Sequence, residues 1–325
     1  MVNGKKLVVS ASPHLRSTQT TTRIMLDVIL SLIPALIAAI FIFGPRVIPV
    51  TAVSVSSAVL AEYVSRKVMK RHQTIGDLSA VVTGLILALN LPVSIPYWIA
   101  AIGSIVAIVV VKQFFGGIGQ NFANPAITAR IVLLLSFGPQ MGNWVTPLSW
   151  KTAVTTSATP LAVGYGNAGA PSLTDMFLGL RGGCLGETCA VALILGGVYL
   201  IARKVISPAI PLTYIGTVAL IMLIAGKGDL GFVAYQLMGG GLLLGAFFMA
   251  TDYSTCPIKV RGKIIFGIGC GIITSLIRLF ASMTEAVSFA ILLMNLAVPF
   301  IDRATIPKPF GTPKKEKKAK EAAEK

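Results

Sequence analysis

Long apolar runs separated by short polar connectors dominate this chain, and their lengths predict helices. Ten runs stand out: Ile24–Phe43, Val47–Met69, Asp77–Leu91, Ile95–Val111, Asn124–Phe137, Thr188–Ile206, Ala209–Ala225, Phe232–Thr251, Ile264–Ala281 and Ala286–Ile301. A bilayer crossing takes about 20 apolar residues, so most of these runs read as spans. The third and fifth are short and interrupted by Pro92 and Pro125. Broken segments of that kind are tolerated only where protein buries the backbone or where it lines a cavity. A transmembrane barrel is excluded, because its strands alternate over roughly ten residues and runs such as Ile99–Val111 do not alternate.

The halves look related. Gly84-Leu-Ile-Leu-Ala-Leu, followed by a proline-containing turn and a glycine-bearing apolar helix, is echoed by Gly241-Leu-Leu-Leu-Gly-Ala and its sequel. Five spans per half is an odd number, which forces opposite orientations; such inverted repeats put functional sites at their interface, near broken helices. The expected fold is therefore an all-α polytopic membrane protein of about ten transmembrane helices in two inverted-repeat halves. Its segments are an N-terminal stretch 1–23, a first half 24–138, a loop 139–186, a second half 187–306 and a basic tail 307–325 that reads as solvated and without fixed structure.

Only 12% of residues are charged, against about 25% in soluble domains, which removes that class. The net charge of +16 raises nucleic acid as a partner, but the charges sit at span ends and in the tail. If the chain starts in the cytoplasm, 22 of the 28 lysines and arginines fall on the cytoplasmic side; Arg46, Lys151, Arg181 and Lys227 fall opposite, and Arg130 and Arg278 lie inside spans. That is the positive-inside pattern. It predicts cytoplasmic termini, an extracytoplasmic loop after the fifth span, a multi-pass protein of the inner membrane, a lipid partner and no nucleic acid. Met1–Arg23 is too polar, and the first span too long, for a cleavable signal. Two histidines and four scattered cysteines without metal-site spacing predict no metal; Cys184 and Cys189 read as small residues at a helix start.

Ionisable residues in or beside spans are the first candidates for chemistry, because hydrocarbon penalises them. Asp27 with Arg23, and Glu62 with Arg66, have the i,i+4 spacing of local ion pairs; a proton or cation relay is the sharper reading. Asp77 precedes an apolar helix as an N-cap would, and Asp252 ends the eighth span in Met249-Ala250-Thr251-Asp252-Tyr253. Asp77, Asp252 and Glu62 are the ion-pathway candidates. Arg130 lies deep enough to demand a phosphate or carboxylate partner. Gly116-Gly117-Ile118-Gly119 and Gly267-Ile268-Gly269-Cys270-Gly271 lack the strand, or the following Lys-Ser/Thr, of nucleotide loops and read as close helix packing. Gln120, Asn121 and Asn124-Pro125 suit a helix cap that also meets a polar ligand. In the long loop, Trp144 and Trp150 read as interfacial anchors, with stacking on a planar cofactor as the alternative. Thr155-Thr156-Ser157-Ala158-Thr159-Pro160 offers hydroxyls that are expected to be exposed to a modifying enzyme.

Several segments, in order, carry a resemblance: Gly76-Asp77-Leu78-Ser79 through Asn90-Leu91-Pro92, Gly116 to Asn121 with Asn124-Pro125, Ser157-Ala158-Thr159-Pro160-Leu161, Gly186-Glu187-Thr188 and Phe248-Met249-Ala250-Thr251-Asp252. Together they resemble the family of the D subunits of Rnf complexes and the B subunits of sodium-pumping NADH:quinone oxidoreductases, over nearly the whole chain. The resemblance implies a membrane subunit of an ion-translocating ferredoxin:NAD+ oxidoreductase, coupled to Na+ or H+. It implies FMN held through its phosphate as a phosphoester on a threonine, which is Thr159 here, and attached by a separate flavin transferase. Ser157, Thr156, Trp150 and Arg130 are then candidates for contacts to the phosphate or the ring. The resemblance extends to a non-covalent riboflavin, and the implied partners are the A, B, C, E and G subunits of the complex. Ser157 stands where the fuller attachment motif has glycine, and Ala153 where it has an acidic residue. A solute channel or carrier of inverted-repeat type, without redox chemistry, is the competing reading.

Overall fold

The computed structural model describes residues 19–151, 157–281 and 285–307, and among them regular structure is helical throughout. Four helices are long and apolar enough to cross a bilayer: α1 (Thr21–Phe43), α2 (Val47–Val68), α9 (Val260–Phe280) and α10 (Ala286–Thr305). Five shorter apolar helices are α3 (Ser79–Leu89), α4 (Tyr97–Gln113), α5 (Pro125–Ser136), α6 (Ala190–Ala202) and α7 (Ala209–Ala225). The remaining one, α8, is a bent pair, Leu230–Met238 and Leu242–Met249, at 64°. Ten apolar elements thus follow the expected order, but the eighth, expected to be continuous, is broken. Gly240 and Gly241 take φ of +58° and +67°, a left-handed turn that removes the helical bonds across Gly239–Gly241. At 1.5 Å per residue, α3 is only about 16 Å long, half a bilayer core.

Helix starts follow their sequences. Asn124 caps α5, its Oδ1 accepting from the N–H groups of Ala126 and Ile127, with Pro125 in the first turn. Asp77 caps α3 from two residues upstream, accepting at 2.8 Å from the Ser79 N–H. α4 and α8 each carry a π-type stretch, with Phe114 N–H donating to Val109 at 3.0 Å and Ala250 N–H to Gly245 at 2.8 Å. Such stretches recur at functional sites.

Corresponding helices of the two halves meet where α1 lies on α6 and α5 on α10, and within the halves α2 packs on α4 as α7 packs on α9. Small residues allow close approach. A Cβ at Gly84 would sit 2.9 Å from the Val55 Cα, and one at Gly196 would collide with the Ser31 carbonyl. Gly267 and Gly271 meet Thr213 and Thr217 across α7–α9, as expected. Gly116–Gly119 do not pack helices. Gly116, Gly117 and Gly119 adopt φ between +83° and +128° in a turn against Arg66. The outward faces are apolar, with Phe41, Leu60, Leu212, Ile224, Phe280 and Phe300 exposed, the reverse of a water-soluble helix surface.

Hydrogen bonds tie the connectors into two ends. Thr22 bonds Gly76, Arg71 bonds Gln113, Asn121 bonds Ser254, Tyr253 bonds Val205 and the Ile258 N–H bonds Asp302. At the opposite end Leu148 bonds Ile42, Arg46 bonds Ser94 and Ser94 bonds Asn143. Trp150 packs its exposed ring over Gly44 at that second end. Trp144 is buried and is no surface anchor.

Candidate functional site

Thr159 lies at the second end, as the N-cap of a single helical turn, Pro160–Val163, whose Ala162 and Val163 N–H groups bond its carbonyl. Its side chain makes no cap. Contrary to the exposed hydroxyl expected from the sequence, Thr159 is buried, and among the described residues its Oγ1 has no hydrogen-bond partner; the same holds for the Ser157 Oγ. The turn is clamped from both flanks. Ser157 and Ala158 press on Gly182, where a Cβ would collide with the Ser157 Oγ, and the Ser157 N–H donates to Trp144 at 2.9 Å. Tyr235 donates to the Pro160 carbonyl at 2.7 Å, and Leu161 packs on Gly239. Thr156 lies outside the described residues.

Arg130 is not brought to this loop. It donates to Asn90 Oδ1 at 2.7 Å and Cys184 Sγ at 3.2 Å, and it pairs with Glu285. The carboxylate partner anticipated for it is therefore within the chain. Around the α8 break two more arginines serve backbone carbonyls. Arg278 donates to Gln236, Gly239 and Gly240, and Arg181 to Glu187, Thr188 and Met238. Glu187 fills the gap left by glycines: its carboxylate meets the positions where Gly183 and Gly241 would carry Cβ. Its segment is pinned to the end of α3 by Leu185 N–H to Leu91 and Gly186 N–H to Leu89, at 3.0 and 2.7 Å. Cys184 is a buried free thiol and Cys189 precedes α6.

A second group forms near the first end. Glu62 is fully buried and accepts from Lys112 at 3.0 Å, Gln113 at 3.0 Å and Thr74 at 2.9 Å. Arg66, the i,i+4 partner expected for it, is farther, at 3.7 Å. Lys112 also donates to the Ser79 hydroxyl at 2.6 Å, which donates to Asp77 at 2.5 Å. Glu62 and Asp77 are thus joined by one hydrogen-bonded chain through Lys112. Asp27 does not pair with Arg23; it takes Tyr199 at 3.1 Å and Arg203 at 3.4 Å across α1–α6. Beside Lys112, a cavity of about 100 Å3 is walled by Val28, Ile86 and Phe248, with Thr83, Asn124 and Asp252 as polar groups. Asp252 accepts from Ser254 at 2.9 Å and Thr255 at 3.1 Å, and burial pushes its carboxyl above the usual carboxylate range.

Sequence reasoning misses Lys112, Arg181, Arg278, Glu187 and Glu285 as site residues. The available signal is a charge in an apolar neighbourhood: it marks Arg130 and also Arg278, which lies inside an apolar span but is not among the site candidates.

Broken apolar helices, an apolar exterior and charges buried at the break define a polytopic helical membrane protein with a polar core. The chain belongs to the NQR2, RnfD, RnfE family, whose model matches residues 8–311. It is 46% identical to the D subunit of the Na(+)-translocating ferredoxin:NAD(+) oxidoreductase complex of Acetobacterium woodii, over 98% of this chain and all of that protein. It is 42% identical to the D subunit of the proton-translocating ferredoxin:NAD(+) oxidoreductase complex of Clostridium ljungdahlii, over 94% of this chain and 96% of that one. With the D subunit of the ion-translocating oxidoreductase complex of Escherichia coli the identity is 32%, over 93% and 98%.

Proposed function

We propose that the chain is the D subunit of an ion-translocating ferredoxin:NAD+ oxidoreductase complex, and that it carries FMN covalently on Thr159 as an electron relay coupled to Na+ or H+ movement. The observation that carries the reading is the full-length match to relatives that bear this name. Its partners are the A, B, C, E and G subunits of the complex and a flavin transferase. It sits in the inner membrane as ten spans in two inverted halves with cytoplasmic termini. The pairing of α1 with α6 and α5 with α10 supports that symmetry. The basic end formed by Arg66, Arg71, Lys112 and Arg203 supports the cytoplasmic assignment of that end.

The Thr159 region fits the group. A buried hydroxyl without a partner is a costly arrangement, and a phosphoester would use that oxygen. In attachment the Thr159 oxygen bonds to the phosphorus of a pyrophosphate-activated flavin; the P–O bond to the departing nucleotide phosphate breaks, and the hydroxyl proton goes to a base of the transferase. When bound, the flavin supplies one- or two-electron acceptance, while the protein supplies position and tuning. Ser157, with its own unpaired hydroxyl, orients the ester. Because Thr159 is buried, attachment requires the Pro160–Val163 turn to lift.

Denaturing electrophoresis of the chain co-expressed with a flavin transferase tests the assignment: one fluorescent band at its mass is expected, absent in Thr159→Ala. A band of full strength in that variant overturns it. For coupling, neutralising Glu62, Asp77 or Asp252 in the assembled complex is expected to impair ion transport more than electron transfer in at least one case. Equal loss of both activities, or of neither, in all three variants counts against an ion path through them.

A further inference from the structure

The polar core at the α8 break is not charge-balanced. Among the described residues, Arg130, Arg181 and Arg278 meet there with only Glu187 and Glu285, and the adjoining stretches 152–156 and 282–284 hold no ionisable residue. Arg130 and Arg181 are 2% and 3% exposed, while Arg278 and Glu285 are half-buried, so water screens the two inner guanidinium groups little. An uncompensated buried charge is destabilising unless a partner arrives. Polar atoms without a hydrogen-bond partner among the described residues in and around this core include Arg181 Nη1, Thr188 Oγ1, Gln236 Oε1, Ser157 Oγ and Thr159 Oγ1, as well as Arg130 Nε and Arg278 Nε. The connections are direct. Arg181 precedes Gly182, on which Ser157 and Ala158 rest, and it bonds the Met238 carbonyl next to Gly239, on which Leu161 rests.

We propose that this core is the seat of the phosphate that tethers the flavin, with the free Nη1 of Arg181 as the group that receives it. The inference rests on the reading that Thr159 is the flavin-bearing residue. A phosphate esterified to both a flavin and a threonine is a diester with one negative charge, which cancels the one excess positive charge of the five-residue core. A guanidinium hydrogen bond to phosphate is of the strong, charge-assisted kind. Arg181 is thereby a positioning residue: it holds the tether and takes no part in electron transfer.

The test compares the purified full-length chain with and without flavin, made by co-expression with or without the transferase. Flavinylated wild-type protein is expected to melt at least about 1.5 °C above the unmodified form, the shift that a gain of roughly 1 kcal/mol gives in a protein of this size. In Arg181→Gln the fluorescent band persists but that increment disappears; Arg181→Lys keeps part of it. Arg278→Gln also removes the surplus charge but leaves the Arg181 Nη1 in place; it is expected to melt lower in both forms and to keep part of the increment. A full increment in flavinylated Arg181→Gln overturns the proposal while leaving Thr159 as the attachment site. No flavin on the wild type overturns both. Should Arg181→Gln fail to accumulate, the 31P resonance of the flavinylated wild type decides. Protection from broadening by soluble Mn2+ supports a seated phosphate, and full broadening overturns it.

Discussion

Two buried charge clusters in this chain follow opposite plans. Near the α2–α4 ends, Glu62 and Asp77 face Lys112 and Arg66, two charges of each sign, and three neutral or cationic donors close on the Glu62 carboxylate within 3.0 Å. Within that cluster only Arg66 Nε and Gln113 Oε1 are left without hydrogen bonds among the described residues. At the α8 break three arginines face two glutamates, and each of the three arginines, like Thr159, keeps a polar atom without a hydrogen bond among the described residues. A closed cluster holds a fold together and resists the loss of any member. An open one tolerates the loss of its surplus and gains from an added anion. The broken helix also teaches something about ions. Carbonyls released by unwound helices coordinate cations in many transporters, but here guanidinium groups of Arg181 and Arg278 occupy those at 236, 238, 239 and 240. That weakens the solute-carrier alternative and shifts attention for the ion to the α2–α4 end.

The largest effect is expected where the closed cluster is opened. Lys112→Met leaves the Glu62 carboxylate, with 0% exposure, only the longer 3.7 Å contact to Arg66 as an ion pair, which is expected to cost about 3 kcal/mol. The double variant Glu62→Gln/Lys112→Met removes both charges and is expected to recover most of that loss, since a buried pair replaced as a unit is nearly neutral. Thermal melts in detergent measure both. A double variant as unstable as the single one breaks the picture of a balanced cluster.

A smaller loss is expected from Arg181→Gln in the unmodified protein. It removes surplus charge but leaves the carbonyls of Glu187, Thr188 and Met238 short of donors, a cost of about 1–3 kcal/mol. The ranking is the sharper statement: Arg181→Gln should melt above Lys112→Met. The reverse order would mean that the core at the break is not in excess of positive charge.

How much of this is legible in the sequence divides along the same line. Helix order and ends are readable because apolar runs, Asn124-Pro125 and the positive-inside bias are local signals. The α8 break is not, since Gly239-Gly240-Gly241 in an apolar run also suits close helix packing, and only the left-handed φ values separate the two. Sequence spacing misplaces ion pairs wherever the partner is remote along the chain. Asp27 takes Arg203 and not Arg23, while Glu62 keeps its expected ion pair with Arg66 at 3.7 Å and adds a shorter one to Lys112 at 3.0 Å, because the spacing rule sees one helix face and not the helix packed on it. The motif singles out Thr159; its burial depends on Gly182 and Tyr235, which no local pattern connects to it.

Asp252 belongs to neither cluster and gives the finest test of what separates them. Its carboxylate has hydroxyl partners, Ser254 and Thr255, but no hydrogen-bonded cation among the described residues, so burial dominates and the acid is weakened. The folded state therefore holds a proton on Asp252 at pH values where the unfolded chain has released it. Between the ordinary carboxylate pKa of 3.8 and the raised one, the native form binds more protons, so stability falls as pH rises. Below that window the contribution is fully favourable; above it the penalty of a buried charge is complete. Asp252→Asn has no such titration. The melting temperature of the wild type minus that of Asp252→Asn is expected to decline from pH 4 upward and then level off, by about 2 °C or less because the side chain is partly exposed. A difference that rises with pH would place a cation against Asp252 after all and make it a third closed site, joined to Lys112 across the cavity.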